Sequence, residues 1–295
     1  DVALVQTDGS NQAKLLEATR DADALLVVHE QIDRAVIENL RHCRVIVRCG
    51  IGYDNLDLQA AAEHGIWAAN VPDANYREVA VHAMAMILAL TRRLPSYDKA
   101  MHATGWAGME IGAGIRRPES QLVGLLGMGR IGGRVAEMAR SVGYSVQVYD
   151  PYLDQARADA AGIKLVGLDA VIATSDIVSL HLPLTDQTRW IIDAAALARM
   201  KRGSFLVNVS RGGLVDEGAL AEALTSGQLA GAGVDVWEQE PIDPDNPLLS
   251  CATALLSPHA AYLSVESFAE IRHKGFEEAA RVLRGEPPLN PVNRP

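Results

Sequence analysis

Over the first 70 positions, short β-type apolar runs alternate with stretches of helical periodicity. ALVQ (3–6), ALLVV (24–28), RVIVR (44–48) and IWAA (66–69) read as strands, and 11–18, 33–40 and 57–64 read as helices between them. Such alternation predicts a parallel sheet covered by helices on both faces. A second series follows: LVGLLG (122–127), SVQVY (145–149), IKLV (163–166), DIVSL (176–180), FLVNV (205–209), GAGVDV (231–236) and ALLS (254–257). Most of these runs are largely apolar or β-branched and lack polar alternation, the pattern of strands buried on both faces. The expected class is therefore α/β, with two parallel-sheet domains, the second a full doubly wound nucleotide-binding domain.

Between the two series, 76–94 reads as one strongly apolar helix. Ala80, Ala83, Met84, Ile87 and Leu88 recur on it at helical spacing. That stripe fits a core helix, and also a hinge helix that contacts a second copy. A last helix is expected over 264–284, returning to the first domain, with the Pro-rich PPLNPVNRP (287–295) as an irregular strap. The expected divisions are 1–74 and 264–295 for one domain and 75–263 for the nucleotide domain.

A chain of 295 residues is long enough for two sizeable cores. Its net charge of −10 disfavours nonspecific nucleic-acid binding, so a small anionic substrate needs a local positive site. Cys43, Cys49 and Cys251 form neither a metal-ligand spacing nor a disulfide framework, which fits a reducing cytoplasm and no bound metal. The longest apolar run, AMAMILAL (83–90), is too short to span a bilayer, and no signal-peptide pattern opens the sequence. It begins at Asp1 rather than Met, and a few further N-terminal residues are expected.

GLLGMGRIGG (124–133) follows an apolar strand and opens a helical run over 130–142. Gly127, Gly129 and Gly132 fit GxGxxG, weak alone but specific in that strand–turn–helix setting. Gly127 permits the tight turn, Gly129 lets the backbone approach a pyrophosphate, and Gly132 allows close packing of helix on strand. The N–H groups at the helix start, beside Arg130 and Ile131, face the phosphates. Asp150 closes the next strand, 18 residues after Gly132. A carboxylate there accepts ribose hydroxyls and repels a 2′-phosphate, favouring NAD over NADP. The bland alternative is a turn residue before Pro151.

Three further segments carry chemistry: NVSRGGLVDE (208–217), DVWEQEP (235–241) and SPHAA (257–261). Reducing a 2-keto acid requires gripping its carboxylate, polarising its carbonyl and delivering a proton. Arg211 suits the first two tasks, because its planar fork stays charged and binds oxygens in pairs. His259 suits the third, because imidazole titrates near working pH, and Glu240 would hold the ring and favour imidazolium. Singly, each has a bland reading: a surface ion pair, a turn residue before Pro241, a core histidine. His82, His102 and His181 are read as structural.

Over nearly its whole length the chain resembles the D-2-hydroxyacid dehydrogenase family. The resemblance rests on IVRCGIGYDNLDL (46–58), NVPDANYREVAVHAMAMIL (70–88), GLLGMGRIGG, YDPY (149–152), LHLPLTDQT (180–188), NVSRGGLVDE, GAGVDVWEQEP (231–241) and SPHAA, in that order. It implies a Rossmann NAD domain with a smaller flavodoxin-like substrate domain, and a homodimer. By the same resemblance Arg211 binds and polarises the substrate, His259 is the acid/base and Glu240 orients it. Asp235 would hold the nicotinamide carboxamide, and Pro183, Thr188 and Val209 would line the cofactor. The backbone of Cys49, Gly50, Ile51 and Gly52 would take the substrate carboxylate from the first domain, with domain closure excluding water. Arg48, Tyr53, Tyr76, Trp106 and Tyr262 are pocket candidates from their positions in or near the motifs.

Within the family, IVRCGIGYDN, YDPYL and PHAAY are most similar to the C-terminal-binding-protein branch and its bacterial relatives, while phosphoglycerate dehydrogenases share most other motifs. The alternative function is therefore an NAD(H)-sensing interaction protein. Two departures stand out: Val81 where members often carry Glu, and RRPESQ (116–121) where many carry a Gly-Lys pair.

Overall fold

The computed structural model describes residues 3–7 and 11–295. In chain order its elements are α1 (Gln12–Thr19), β1 (Ala24–Val27), α2 (Arg34–Asn39), β2 (Val45–Arg48), α3 (Leu58–Glu63), β3 (Trp67–Asn70), α4 (Tyr76–Thr91) and α5 (Leu94–Thr104). There follow β4 (Leu122–Leu126), α6 (Arg130–Val142), β5 (Ser145–Tyr149), α7 (Gln155–Ala160), β6 (Lys164–Leu165), α8 (Leu168–Thr174), β7 (Ile177–Leu180) and α9 (Ala194–Arg199). The last are β8 (Ser204–Asn208), α10 (Glu217–Thr225), β9 (Leu229–Val234), β10 (Ala254–Leu256) and α11 (Val265–Leu283). The chain divides into two compact units: Asp1–Tyr76 with Leu263–Pro295, and Arg77–Tyr262. Among the described residues no helix is long and apolar enough to cross a membrane.

The smaller unit holds a parallel sheet of order β1-β2-β3. Its first helices start where short polar side chains can take orphan N–H groups. Asn11 accepts from Ala13 and Lys14, Asp33 from Val36, and Asp57 from Ala60. Leu15, Val36, Ile37, Ala60 and Ala61 bury against Leu25, Val27, Ile46 and Ala68. From the same unit α11 also packs on this sheet, and its Gly275 leaves room for Cys49, whose Sγ lies 3.0 Å from where a Cβ would stand.

Two expectations for this unit need correction. Residues 3–6 form no strand; Leu4 and Val5 are 66% and 75% exposed. Two large apolar side chains followed by Gln6 and Thr7 bury too little to offset the cost of ordering a strand. Among the described residues the sheet therefore has three parallel strands, in chain order. The strap, conversely, is more regular than its composition implies. Val292 donates to Ala68 O at 2.8 Å and Asn70 to Asn290 O at 3.2 Å, laying the tail antiparallel along β3. Pro291 is tolerated because this is a sheet edge. Buried Glu278 fixes the strap, accepting from Leu289 N, Asn290 N and Asn290 Nδ2.

The larger unit is a seven-stranded parallel sheet of order β10-β9-β8-β7-β4-β5-β6. Strand order reverses between β4 and β7, which defines the topological switch point of a doubly wound sheet. One core lies under α8, α9 and α10, and a second on the opposite face under α4 and α6. Ala80, Ala83, Met84 and Ile87 of α4 are all buried in that second core, so the stripe read from the sequence is core. The helix expected to reach 94 stops at Thr91: Arg93 turns left-handed at φ 56°, and α5 restarts with Pro95 in its first turn. The strand expected over 163–166 shrinks to Lys164–Leu165 at the sheet edge.

Candidate active site

The Gly-rich turn leaves β4 at the switch point. Gly127 has φ 99°, and a Cβ there would lie 2.5 Å from His181 O. At Gly132 a Cβ would lie 2.2 Å from Gly127 O, which is why the helix can close on the turn. Gly129 has nothing within 4 Å of its missing Cβ, so its surface is open to a ligand. It is also the N-cap of α6 and supplies no side-chain cap, leaving the first-turn N–H groups beside Arg130 and Ile131 to a ligand. Asp150 accepts from Met128 N and Tyr152 N, each at 2.8 Å, one on each carboxylate oxygen. The carboxylate thus ties the turn to the end of β5 and keeps further lone pairs for ribose hydroxyls. An open Gly129, an uncapped helix start and a carboxylate at the next strand end together fit a dinucleotide.

Beyond β7, Thr188 Oγ1 donates to Pro183 O at 2.7 Å and accepts from Thr185 N, so the hydroxyl shapes its own turn. Val209 is 6% exposed and packs in the α4-side core. His181 presents a sealed Nδ1 and places Nε2 3.0 Å from Ser179 Oγ; burial holds its pKa down at about 3, so the ring is neutral.

The loops that follow β8, β9 and β10 lie side by side because those strands are neighbours. Arg211 begins the turn after β8, with its carbonyl held by Asn208 Nδ2 at 2.9 Å. The next residue has no room for a side chain: a Cβ at Gly212 would lie 1.9 Å from Trp237 C. This close approach sets the Arg211 turn against the Glu240 loop. Trp237 then donates from Nε1 to Ser257 O at 3.1 Å, joining that loop to the third.

Glu240 and His259 meet across these loops. Nδ1 of His259 is 2.6 Å from Glu240 Oε2, and Glu240 Oε1 accepts from Trp237 N at 3.0 Å. The pair is not sealed, with side chains 21% and 32% exposed. Tyr262 stands edge-on to the imidazole at 6.0 Å. His259 adopts φ 52°, the left-handed region that a side chain enters only when its surroundings hold it there.

Asp235 is what holds it. Fully buried, its carboxylate accepts from Ser257 Oγ, Ala260 N at 2.9 Å and Ala261 N at 3.0 Å, while its carbonyl accepts from His259 N at 2.6 Å. The visible work of Asp235 is therefore to anchor the His259 loop. Sequence reading gave Ser257 no role in this network and took His82 only as structural; His82 Nε2 lies 3.0 Å from Ser257 Oγ. The one signal was a histidine interrupting the otherwise apolar α4. His102 lies apart, exposed beside Asp98 on α5.

In the smaller unit, the 49–52 loop leaves the carboxyl end of β2. Cys49 N and Gly50 N are already committed, to Val27 O and Arg48 O. Ile51 N and Gly52 N have no acceptor among the described residues, and Ile51 O is held by Asn70 Nδ2 at 2.7 Å. The loop thus offers two N–H donors rather than four. Of the other pocket candidates, Trp106 is 78% exposed and Arg48 is buried against its own loop.

The NAD-binding-domain model of the D-isomer specific 2-hydroxyacid dehydrogenases matches residues 84–261. The chain is 34% identical to a D-3-phosphoglycerate dehydrogenase of Archaeoglobus fulgidus over 97% of its own length and 54% of that protein's. It is 37% identical to a glyoxylate reductase of Korarchaeum cryptofilum over 95% of its length and 85% of the relative's. The solved D-lactate dehydrogenase of Aquifex aeolicus, complexed with NAD and lactic acid, superposes with a TM-score of 0.87 at 27% identity, covering 95% of this chain and 89% of that one. The chain belongs to the D-isomer specific 2-hydroxyacid dehydrogenase family. It spans about half the length of the phosphoglycerate dehydrogenases it matches. These relatives are named for dehydrogenase and reductase activities, which does not favour the NAD(H)-sensing alternative.

Proposed function

We propose that this protein is an NAD-dependent D-2-hydroxyacid dehydrogenase working as a 2-keto acid reductase. The observation that carries the reading is the His259–Glu240 pair beside the Arg211 turn, at the carboxyl ends of strands whose switch point bears a dinucleotide loop. NAD, when bound, supplies the hydride-transfer chemistry. With Nδ1–H donating to Glu240, His259 presents Nε2 toward the substrate oxygen and exchanges a proton with it there. Arg211 offers paired donors to the carboxylate and the carbonyl oxygen as negative charge develops. Asp150 sets the preference for NAD over NADP.

The test is NADH oxidation with glyoxylate, hydroxypyruvate, pyruvate, phenylpyruvate, 2-keto-4-methylthiobutyrate and phosphohydroxypyruvate, with NADPH in parallel and product chirality determined. NADH-dependent turnover giving a D-product is expected. No turnover on any 2-keto acid, by protein that binds NADH, would sink the reading.

A homodimer belongs to the same proposal. Helix α5 buries none of its residues, and Leu94, Met101, Trp106 and Met109 around it are 45–93% exposed. Exposed apolar side chains along this segment fit burial against a second copy. Sedimentation of a dimer is the expected result. Three unbridged cysteines support a reducing, cytoplasmic location.

A further inference from the structure

At the opposite end of the larger sheet from the cofactor turn, a cleft of about 440 Å³ opens where β4, β7 and β8 begin. Four cations line it: Arg93, Arg116, Lys201 and Arg202. One carboxylate faces them. Asp176 takes Arg116 at 3.0 Å, Lys201 at 3.1 Å and the N–H of Leu122 at 2.8 Å. The cleft keeps a surplus of positive charge, in a chain whose net charge is −10. Such a local inversion attracts anions.

The floor adds a second, independent feature. Gln121 and Ser204 also line the cleft and are 6% and 3% exposed. Gln121 Oε1 and Ser204 Oγ have no hydrogen-bond partner among the described residues. Buried polar oxygens normally find partners, and leaving them without one is costly. An amide oxygen can only accept, so it calls for a donor; a serine hydroxyl can donate to an anion. Arg116 and Gln121 belong to RRPESQ, the segment set apart above because it departs from the family's pattern. It lies at the starts of the strands, at the opposite end of the sheet from the Arg211, Glu240 and His259 loops.

We propose that this cleft binds a small phosphate monoester bearing a free hydroxyl. Arg202, Arg93 and the lysine–arginine pair around Asp176 hold the phosphate, with Ser204 Oγ donating to one of its oxygens. The ligand's hydroxyl donates to Gln121 Oε1. Volume supports the assignment, since small-ligand sites begin at about 300 Å³.

Calorimetric titration of the NADH-saturated protein tests it, because NADH covers the phosphate-binding start of α6. Glycerol 3-phosphate and inorganic phosphate are the probes; neither is a 2-keto acid. Arg202 is exposed and carries no structural ion pair among the described residues, so Arg202→Glu should fold, bind NADH and turn over as the wild type does. We expect glycerol 3-phosphate to bind about tenfold more tightly than inorganic phosphate, and Arg202→Glu to weaken both about tenfold or more. Gln121→Leu should bring glycerol 3-phosphate down to the level of inorganic phosphate. Absence of binding to roughly 10 mM, or equal binding by wild type and a folded Arg202→Glu, overturns the site. An intact preference in Gln121→Leu overturns the role of the hydroxyl. Loss of the dimer in Arg202→Glu with unchanged probe binding assigns the cations to a second copy instead.

Discussion

Nδ1 of His259 lies 2.6 Å from Oε2 of Glu240, and the other oxygen of that carboxylate is occupied by Trp237 N–H. The carboxylate is thus pinned from behind by the β9 loop before it meets the ring. A pinned acceptor selects the tautomer with hydrogen on Nδ1, so proton exchange falls to Nε2. The left-handed backbone of His259 and the Asp235 anchor beneath it serve the same end, a ring whose direction is set before substrate arrives.

His259→Asn should therefore cut kcat by about a hundredfold or more, the usual weight of a positioned acid/base. Glu240→Gln keeps a hydrogen-bonding group and should cost less, about tenfold. NADH affinity, read by fluorescence titration, should change less than about threefold in both, because neither residue lies at the Gly-rich turn. A His259→Asn enzyme with near-normal kcat would remove the histidine from the mechanism.

Arg211→Lys tests geometry rather than charge. Lysine keeps the cation but loses the planar fork, so the 2-keto acid KM should rise and kcat fall, together about a hundredfold in kcat/KM. Steady-state kinetics would show it. A Lys variant equal to wild type would mean that Arg211 acts only as a distant positive charge.

Much of this site was legible in the sequence because each loop carries its own signature. GxGxxG after an apolar strand places the turn, and Arg211, Glu240 and His259 stand beside Gly or Pro at the ends of strands. The network under them was not legible. Ser257 is two residues from His259, but His82 is 175 residues from its partner Ser257, and no local pattern reports a contact at that separation. Strands buried on both faces were readable from continuous apolar runs, as at 122–126. Residues 3–6 failed because composition reports β-propensity, not whether a neighbouring strand is there to pair. The break at Arg93 failed for a related reason: the apolar stripe of α4 ends at Leu90, and the polar Arg92–Arg93 step was read as part of the same helix.

Asp235 should matter for stability as much as for rate. Removing its carboxylate in Asp235→Ala leaves Ala260 N–H, Ala261 N–H and the Ser257 hydroxyl without their acceptor in a buried place. A loss of about 3 kcal/mol or more in urea unfolding is expected, along with loss of turnover as the His259 loop relaxes. Unchanged stability would show that the loop is held by other contacts.

Asp150→Asn separates the two tasks of that carboxylate. One amide oxygen can still accept a backbone N–H, but the charge that repels a 2′-phosphate is gone and one ribose acceptor is lost. The NADH dissociation constant should rise about tenfold, and the NADH/NADPH preference should narrow by at least as much. Titration with both nucleotides checks this. A preference that stays intact would put the discrimination elsewhere.

His181 predicts a pH dependence of folding. Burial lowers its folded-state pKa from 6.5 to about 3, so between those values the unfolded chain binds a proton that the folded chain does not. By linkage the stabilisation from a neutral His181 is fully present above pH 6.5 and drains as pH falls toward 3, at up to about 1.4 kcal/mol per unit. The residue as a whole is only partly buried, although its Nδ1 is sealed, so solvent screening reduces that slope. His181→Gln removes the titrating group and should flatten the acid side of the stability curve. Urea unfolding at pH 7 and pH 5 should find the wild type losing about 1 kcal/mol more than the variant over that interval. Parallel losses would mean that the ring charges in place without cost, which its sealed nitrogen argues against.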